Sequence, residues 1–159
     1  KQKLKITKVN LYELVENSIY HEMAKNKGIK IINKIPKSMN VNIDENLFKQ
    51  IIINLFSNAL KFTEKGNIKF NANEETIEGE VEGFELSITD TGCGIEKEKQ
   101  QYLFDKFYQA ENYMTREKGG TGLGLAIVKK IIELHKGTIH IDSELGKGSK
   151  FSIFIPNKS

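Results

Sequence analysis

The sequence predicts a domain of mixed α/β structure, in the α+β class. We expect a two-layer sandwich in which a mixed, mostly antiparallel sheet packs on about three helices. The order of the periodic segments leads to this prediction, because pairs of strand-like segments alternate with single helix-like segments. A chain of 159 residues is long enough to bury one core. An irregular stretch of roughly 30 residues, 90–122, exceeds the usual length of a connection, which is typical of a functional lid or of disorder. The two glycine clusters that bracket this stretch favour a long lid.

The helices are predicted from apolar residues that recur at spacings of three and four. They cover residues 11–28, 44–62 and 123–135, with a short helical piece at 96–103. Asp44 is the expected N-cap of the second long helix, because its side chain can accept a backbone N–H bond there. Lys136-Gly137 is expected to end the third, since glycine readily adopts the left-handed conformation that closes helices.

The strands are predicted from short runs of alternating or β-branched residues. They cover residues 29–33, 41–43, 67–72, 84–89, 138–141 and 150–155. The polar, acidic residues 73–83 predict a hairpin loop, and the Gly-Lys-Gly run 146–148 predicts the last turn. We interpret the Lys-rich residues 1–9 as the end of a linker from a preceding domain, so that residues 10–159 form the folded domain.

The composition excludes several classes of function. A single Cys cannot form an internal disulfide framework or a cysteine-based zinc cluster. A net charge of +3 is too small to indicate nucleic-acid binding. No apolar run approaches the roughly 18 residues of a membrane span, and the first residues do not resemble a secretion signal. We therefore expect a cytoplasmic domain without membrane contact. Since the chain lacks an initial Met, we expect a fragment of a longer protein, which could itself be membrane-anchored.

A polar stripe marks the second long helix. Its members share one helical face and are Gln50, Asn54, Asn58 and Lys61. Amide oxygens suit Mg²⁺, and an ammonium group suits phosphate, so the stripe predicts a binding site. The alternative is that the stripe is the solvent face of an amphipathic helix, although such a face normally carries more Glu and Lys than amides.

Two glycine clusters flank the lid. Asp90 ends a predicted strand and precedes Gly92 and Gly94, so its carboxylate could accept a hydrogen bond from a ligand amino group while the backbone approaches a flat ring. A plain turn is the alternative. Residues 119–124 lead into the third helix, and glycine-rich backbone at a helix N-terminus favours an anion. Their spacing matches neither the P-loop nor the dinucleotide-binding fingerprint.

The lid itself carries aromatic and basic residues. The run Phe-Asp-Lys-Phe-Tyr at 104–108 predicts either a docking surface or hinge, or a small apolar cluster beneath the lid. Arg116 and Lys118 could reach phosphates, or they could be solvated charges of the lid.

Together these residues resemble the catalytic ATP-binding domain of sensor histidine kinases, within the ATPase superfamily that includes gyrase and Hsp90. Four segments, in the order of the family, resemble its N, G1, F and G2 boxes: 54–63, 90–95, 104–107 and 120–125. The resemblance covers about residues 10–157. It implies the Bergerat ATP-binding fold with an ATP lid, and ATP and Mg²⁺ as cofactors.

The resemblance also implies the members of the site. They are Asn58, Lys61, Phe62, Asp90, Gly92, Gly94, Ile95, Arg116, Gly120, Thr121, Gly122, Leu123 and Gly124. By position, Asp90 would bind the adenine amino group, and Gly92 and Gly94 would flank the base. Asn58 would hold Mg²⁺, and the catalytic group would comprise Asn54, Lys61 and Arg116. Phe62 would pack near the nucleotide.

One residue indicates which branch of the superfamily fits. Water-splitting relatives carry a Glu general base at the position of Asn54, and an amide cannot take a proton from water. The resemblance therefore implies a protein-histidine kinase. Its acceptor histidine would lie on a separate dimerisation domain, since His21, His135 and His140 are interpreted as surface or structural residues.

The implied partners are that dimerisation domain and a downstream response regulator, and the chain alone would be a monomer. Three alternatives remain: a Ser/Thr kinase of the anti-sigma-factor type, a non-enzymatic module that binds a nucleotide or a partner, and an ATP-hydrolysing clamp.

Overall fold

The structure, a computed structural model, describes residues 3–19, 21–100, 102–104 and 124–157. The elements in chain order are β1 (Ile6–Asn10), α1 (Leu11–Ser18), α2 (His21–Asn26), β2 (Ile29–Asn33), β3 (Asn40–Asp44), α3 (Glu45–Phe62), β4 (Gly66–Ile77), β5 (Val81–Asp90), α4 (Lys97–Gln100), α5 (Gly124–Leu134), β6 (Thr138–Glu144) and β7 (Gly148–Pro156). None of the helices among the described residues combines the length and the apolar character needed to cross a membrane.

Five strands form the main sheet, in the order β2-β4-β5-β7-β6. β2 pairs in parallel with β4, whereas the other neighbours pair antiparallel. β1 and β3 form a separate antiparallel pair. The predicted mixed and mostly antiparallel sheet is therefore confirmed.

The core lies between this sheet and the helices, chiefly α3. The buried side chains of α3 are Phe48, Ile51, Ile52, Leu55, Phe56, Ala59, Leu60 and Phe62. Aromatic contacts join α3 to the sheet: ring centroids are 6.0 Å apart for Phe48 and Phe84, and 6.4 Å apart for Phe56 and Phe70. Because each fully buried side chain of this size contributes about 2 kcal/mol, the interface fixes α3 on the sheet.

The predicted first helix, 11–28, is wrong in one respect, because it is two helices in the structure. α1 ends where the Ser18 hydroxyl donates to the carbonyl of Leu14 and Ile19 takes an extended conformation with φ −106°. A serine that bonds back to its own helix weakens continuation of the helix. α2 then ends before Gly28, which has φ +76°.

Two strand predictions also differ from the structure. Residues 73–83 were expected to form a loop, but β4 continues to Ile77 and β5 begins at Val81, with a tight turn between them. Most side chains of this hairpin end are exposed, so an apolar alternation is missing from the sequence. β1 lies in the Lys-rich segment to which no strand was assigned; its residues are mostly exposed, and only Val9 is buried.

The end of α5 is closed by Lys136 rather than Gly137. Lys136 has φ +61°, whereas Gly137 is required by a close approach: a Cβ there would lie 2.3 Å from the carbonyl oxygen of Phe154. The predicted position of the helix end is confirmed. The residue in the left-handed conformation is Lys136, which precedes the glycine that was expected to adopt it.

One buried node joins the start of α3 to the end of α5. The Asp44 carboxylate accepts from the backbone of Leu47, 3.2 Å, as the predicted N-cap, and from the backbone of Lys5, 2.9 Å. The Asp44 amide donates to Nε2 of His135, 3.1 Å, and Nδ1 of His135 is 2.9 Å from the carbonyl oxygen of Ile131. His135 is therefore a structural residue, as predicted, and it sets the position of α3 relative to α5.

Candidate functional site

α3 carries the polar stripe on a face that is not fully covered. Gln50 is exposed, whereas Asn54, Asn58 and Lys61 are half-buried. The neighbouring apolar side chains of the helix are buried in the core. Because the buried face anchors α3, the backbone positions of the half-buried amide and ammonium side chains are fixed at the rim of the core.

The N-terminal end of α5 lies against this stripe. Gly124 is the first residue of α5, and a Cβ placed on it would be 3.8 Å from Oδ1 of Asn54. The structure therefore brings Gly124, the last glycine of the G2-like segment, next to Asn54 of the N-box-like stripe, although 70 positions separate the two residues. The first N–H groups of a helix are unsatisfied and carry a partial positive charge, which suits an anion beside the stripe.

Asp90 lies at the end of β5, at the edge of the core. It is 6% exposed, and its Oδ1 accepts from the backbone N–H of Gly92 at 2.8 Å. Burial raises the pKa of Asp90 above its ordinary value of 3.8, and backbone hydrogen bonds from Gly92 and Ser149 oppose this shift. A buried carboxylate that keeps acceptor capacity suits a ligand N–H group.

Gly92 and Gly94 are needed because the loop lies against the backbone of its own protein. A Cβ on Gly92 would be 2.3 Å from the carbonyl oxygen of Phe62, and one on Gly94 would be 2.1 Å from that of Glu144. Gly94 also has φ +76°. The sequence left open a plain turn or a close approach to a flat ligand, whereas the structure gives each glycine a packing role.

Phe62 and Ile95 are both buried next to this loop, at 8% and 7% exposure. The carbonyl of Phe62 accepts from the backbone of Cys93, 3.1 Å, which ties the end of α3 to the loop. Asp90, Gly92, Gly94, Ile95 and Phe62 thus lie together around this loop, whereas Asn54 and Gly124 form a second pair of neighbours.

The sequence analysis missed two serines that lie beside Asp90. The pairing registers place Asp90 opposite Ser149 and Ser149 opposite Ser143, in one row across β5, β7 and β6. The hydroxyl oxygens of the two serines are 2.7 Å apart. Alternation along β7 could have found Ser149, because Phe151 and Ile153 are buried at the same parity.

Part of the predicted site lies outside the described residues. These positions are Arg116, Gly120, Thr121, Gly122 and Leu123, together with residues 105–108 and Lys118 of the lid. Phe104 is described: it is half-buried against the core, with Nζ of Lys129 6.0 Å from its ring centroid. For Phe104 the apolar cluster is therefore the observed arrangement.

The described residues contain no group of three or more His, Cys, Asp or Glu side chains that could hold a metal ion. Mg²⁺ does not require such a group, since it is commonly held by one or two protein oxygens, waters and substrate phosphates. Asn58 supplies one such oxygen on the stripe, so the donor set is compatible with Mg²⁺ that arrives with a phosphate ligand.

Comparison with known proteins adds independent findings. A family model described as "Histidine kinase-, DNA gyrase B-, and HSP90-like ATPase" matches residues 43–159. The autoinducer 2 sensor kinase/phosphatase LuxQ of Vibrio vulnificus (strain YJ016) is 39% identical over 152 residues, which are 92% of this chain and 18% of that protein. The chain thus spans about a fifth of the length of this curated relative.

Two solved structures are similar along nearly the whole chain. The catalytic domain of histidine kinase ThkA, in a nucleotide-free form, aligns with a TM-score of 0.82 and 28% identity over 98% of this chain and 97% of that one. Full-length ShkA in complex with AMPPNP aligns with a TM-score of 0.80 and 28% identity over 99% of this chain and 33% of that one.

Proposed function

The chain belongs to the family of histidine kinase-, DNA gyrase B- and HSP90-like ATPases, and from this premise we propose that it is the ATP-binding catalytic domain of a sensor histidine kinase. In this proposal it transfers the γ-phosphoryl group of ATP to a histidine on a separate dimerisation domain. The similarity to relatives named sensor kinases, and to the catalytic domain of a histidine kinase over almost its full length, supports the proposal.

The contact between α5 and the polar stripe is the observation that carries the proposal. A Cβ on Gly124 would lie 3.8 Å from Oδ1 of Asn54, so the first residue of α5 lies beside that side-chain amide. A polyanion such as triphosphate suits this pairing, because the helix end favours negative charge and the amides add oxygen and N–H groups without adding charge. Asp90 lies at the start of the loop that contains Gly92 and Gly94, where its buried carboxylate suits the amino group of a base.

Each residue then has a chemical task. Asp90, as the carboxylate, accepts from the amino group of adenine, and Gly92 and Gly94 keep the loop close. Asn58 contributes an oxygen to Mg²⁺, and the ammonium of Lys61 faces phosphate charge. When bound, Mg²⁺ supplies charge neutralisation. Arg116 and the glycines at 120, 122 and 124 complete the phosphate side by their position in the sequence.

Asn54 favours transfer to a protein over hydrolysis. Its amide cannot act as a general base, so an incoming water would lack a proton acceptor at this position. A histidine imidazole is itself nucleophilic and needs mainly positioning and charge neutralisation.

The acceptor histidine is assigned to another domain. Both ring nitrogens of His135 lie within hydrogen-bond distance of backbone atoms, and the residue is 1% exposed, so it cannot meet a phosphate. We further propose that a response regulator receives the phosphoryl group, that the domain works in the cytoplasm where ATP is available, and that residues 1–9 lead from the dimerisation domain.

Calorimetric titration with Mg·ATP tests the proposal. The wild-type chain should bind, and Asp90→Ala should not, because it loses the acceptor for the amino group. Asp142→Ala is the matched control, since Asp142 is an exposed carboxylate on β6. Addition of the dimerisation domain of the full-length protein should then yield an acid-labile phosphohistidine. Failure of the wild-type chain to bind, or a stable phosphoserine as product, would overturn the proposal.

A further inference from the structure

The loop that follows Asp90 is fastened to the hairpin formed by β6 and β7. The backbone amide of Ile95 donates to Oγ of Ser143, 2.8 Å, and the amide of Gly146 donates to the carbonyl of Cys93, 2.8 Å. We name residues 90–96 the base-side loop. The close approach of Gly94 to Glu144 adds a steric contact between the same two segments.

The hydroxyl of Ser143 can use its full bonding capacity in this position. It accepts from Ile95, it donates to the carbonyl of Gly148, 3.0 Å, and it lies 2.7 Å from the hydroxyl of Ser149, which can donate to it. One donor and two acceptor positions are all that a serine hydroxyl offers. Ser143 therefore links the base-side loop, the turn of the hairpin and the strand that flanks Asp90.

Gln100 holds the other polar group of Ile95. Its Nε2 donates to the carbonyl of Ile95, 2.9 Å, and to the carbonyl of Ser143, 3.1 Å. The amide N–H and the carbonyl of Ile95 are thus both bound by side chains, one from β6 and one from α4. The Ile95 side chain is 7% exposed, so the backbone at this point is held from two directions beside a buried apolar anchor.

We propose that Ser143 and Gln100 are positioning residues that keep the base-side loop in its ligand-binding shape before ATP arrives. This inference rests on the proposed function. Its physical basis is preorganisation: a loop that is already ordered has less conformational entropy to lose when the ligand binds. Without these side chains the loop would become ordered only when the nucleotide binds. The conformational entropy lost at that step would reduce the binding free energy, so affinity for the nucleotide would fall.

The first test compares three variants by calorimetry with Mg·ATP and Mg·ADP. Ser143→Ala should weaken both nucleotides by about tenfold, because it removes the partner of a buried N–H group. The loss should be equal for the two, since the loop lies on the base side. Ser143→Thr retains the hydroxyl and should restore binding. Ser152→Ala is the matched control: Ser152 lies on β7, with its side chain on the opposite face of the sheet from Ser149.

The second test measures amide hydrogen exchange in the absence of nucleotide. In Ser143→Ala the amides of residues 92–96 should exchange faster, with protection of β5 and β7 unchanged. Gln100→Glu should do the same, because a carboxylate would face two carbonyl oxygens. A merely structural role would lower the melting temperature but leave nucleotide affinity as in the wild type.

The outcomes separate the two proposals. If the wild-type chain does not bind Mg·ATP, the proposed function fails. If the wild type binds, Asp90→Ala does not, and Ser143→Ala binds as tightly as the wild type, then the positioning role alone is overturned. Weak binding by both Ser143→Ala and Ser143→Thr would also overturn it, because the hydroxyl would not be the group that matters.

Discussion

The two sides of the proposed nucleotide site, its base side and its phosphate side, are held in place by different means. On the base side, the loop 90–96 is held by hydrogen bonds to Ser143 and Gln100 and by the close approaches of Gly92 and Gly94. On the phosphate side, α3 is held by its buried apolar face, and its amides project from a helix that the core has already fixed. The first arrangement depends on a few specific contacts, whereas the second depends on many interchangeable ones. Substitutions on the base side should therefore alter structure and binding together, and those on the phosphate side should alter binding alone.

The largest expected effect is from Gly94→Ala. The new Cβ would lie 2.1 Å from the carbonyl oxygen of Glu144, at a residue with φ +76°, so both sterics and backbone conformation oppose it. We expect a loss of about 3 kcal/mol or more in the free energy of unfolding, measured in urea, with loss of nucleotide binding.

Gly79→Ala is the matched control for that variant. Gly79 has nearly the same φ, +70°, but no heavy atom outside its immediate chain neighbours lies within 4 Å of its Cβ position. It should lose only the cost of the left-handed conformation, about 1 kcal/mol, and bind nucleotide normally. Equal losses in the two variants would show that the contact with Glu144 does not matter.

The phosphate side should respond differently to Asn58→Ala. We expect the variant to be as stable as the wild type, since Asn58 is half-buried at the rim and the apolar face of α3 is unchanged. Affinity for Mg·ATP should fall by about tenfold, while Mg²⁺-free ATP should bind as before, because only the metal ligand is lost. Gln50→Ala removes an exposed amide from the same face and should change neither value. Equal loss with and without Mg²⁺ would contradict the metal role.

The same contrast explains what the sequence could predict. The stripe on α3 is local, because helix periodicity alone places Asn54, Asn58 and Lys61 on one face. The fixation of the base-side loop is not local: Ile95 finds its partner 48 positions away, at Ser143, and a serine on a strand gives no sign of such a partner in the sequence. The strand ends near Ile77 were missed for a related reason, since exposure on both faces removes the alternation that identifies a strand.

Close approaches to backbone that is distant in sequence also explain why the roles of the two glycines were only partly predicted. The sequence shows that Gly92 and Gly94 follow Asp90, and a turn or a ligand contact accounts for that equally well. Only the folded chain places the carbonyls of Phe62 and Glu144 against them. The motifs thus predict where the site would lie, whereas the contacts that hold its loop could not be predicted from the sequence.

The smallest expected effect is the pH dependence caused by Asp90. Burial raises the pKa of Asp90 above 3.8, so the folded protein binds a proton more readily than the unfolded chain does. Burying the ionised carboxylate lowers the free energy of unfolding. This destabilisation is fully present at pH values above the raised pKa, and it is absent below 3.8, where Asp90 is protonated in both the folded and the unfolded state. As the pH falls through the raised pKa, the wild type should therefore gain stability relative to Asp90→Asn. Nucleotide binding should change in the opposite direction, because the protonated acid no longer accepts as a carboxylate from the amino group.

Urea unfolding measures the stability, and calorimetry measures the affinity for nucleotide, both at the same series of pH values below neutrality. The wild type should show falling affinity for Mg·ATP as the pH is lowered, and Asp90→Asn should bind weakly at every pH, without that slope. If the wild-type slope persisted in Asp90→Asn, another group would be responsible. If stability and affinity fell together with Asp90 as their common cause, the carboxylate would be a structural partner rather than a ligand acceptor. The distinction matters for the base side of the site, because there a single buried group is expected to lower the stability of the free protein and to raise its affinity for nucleotide.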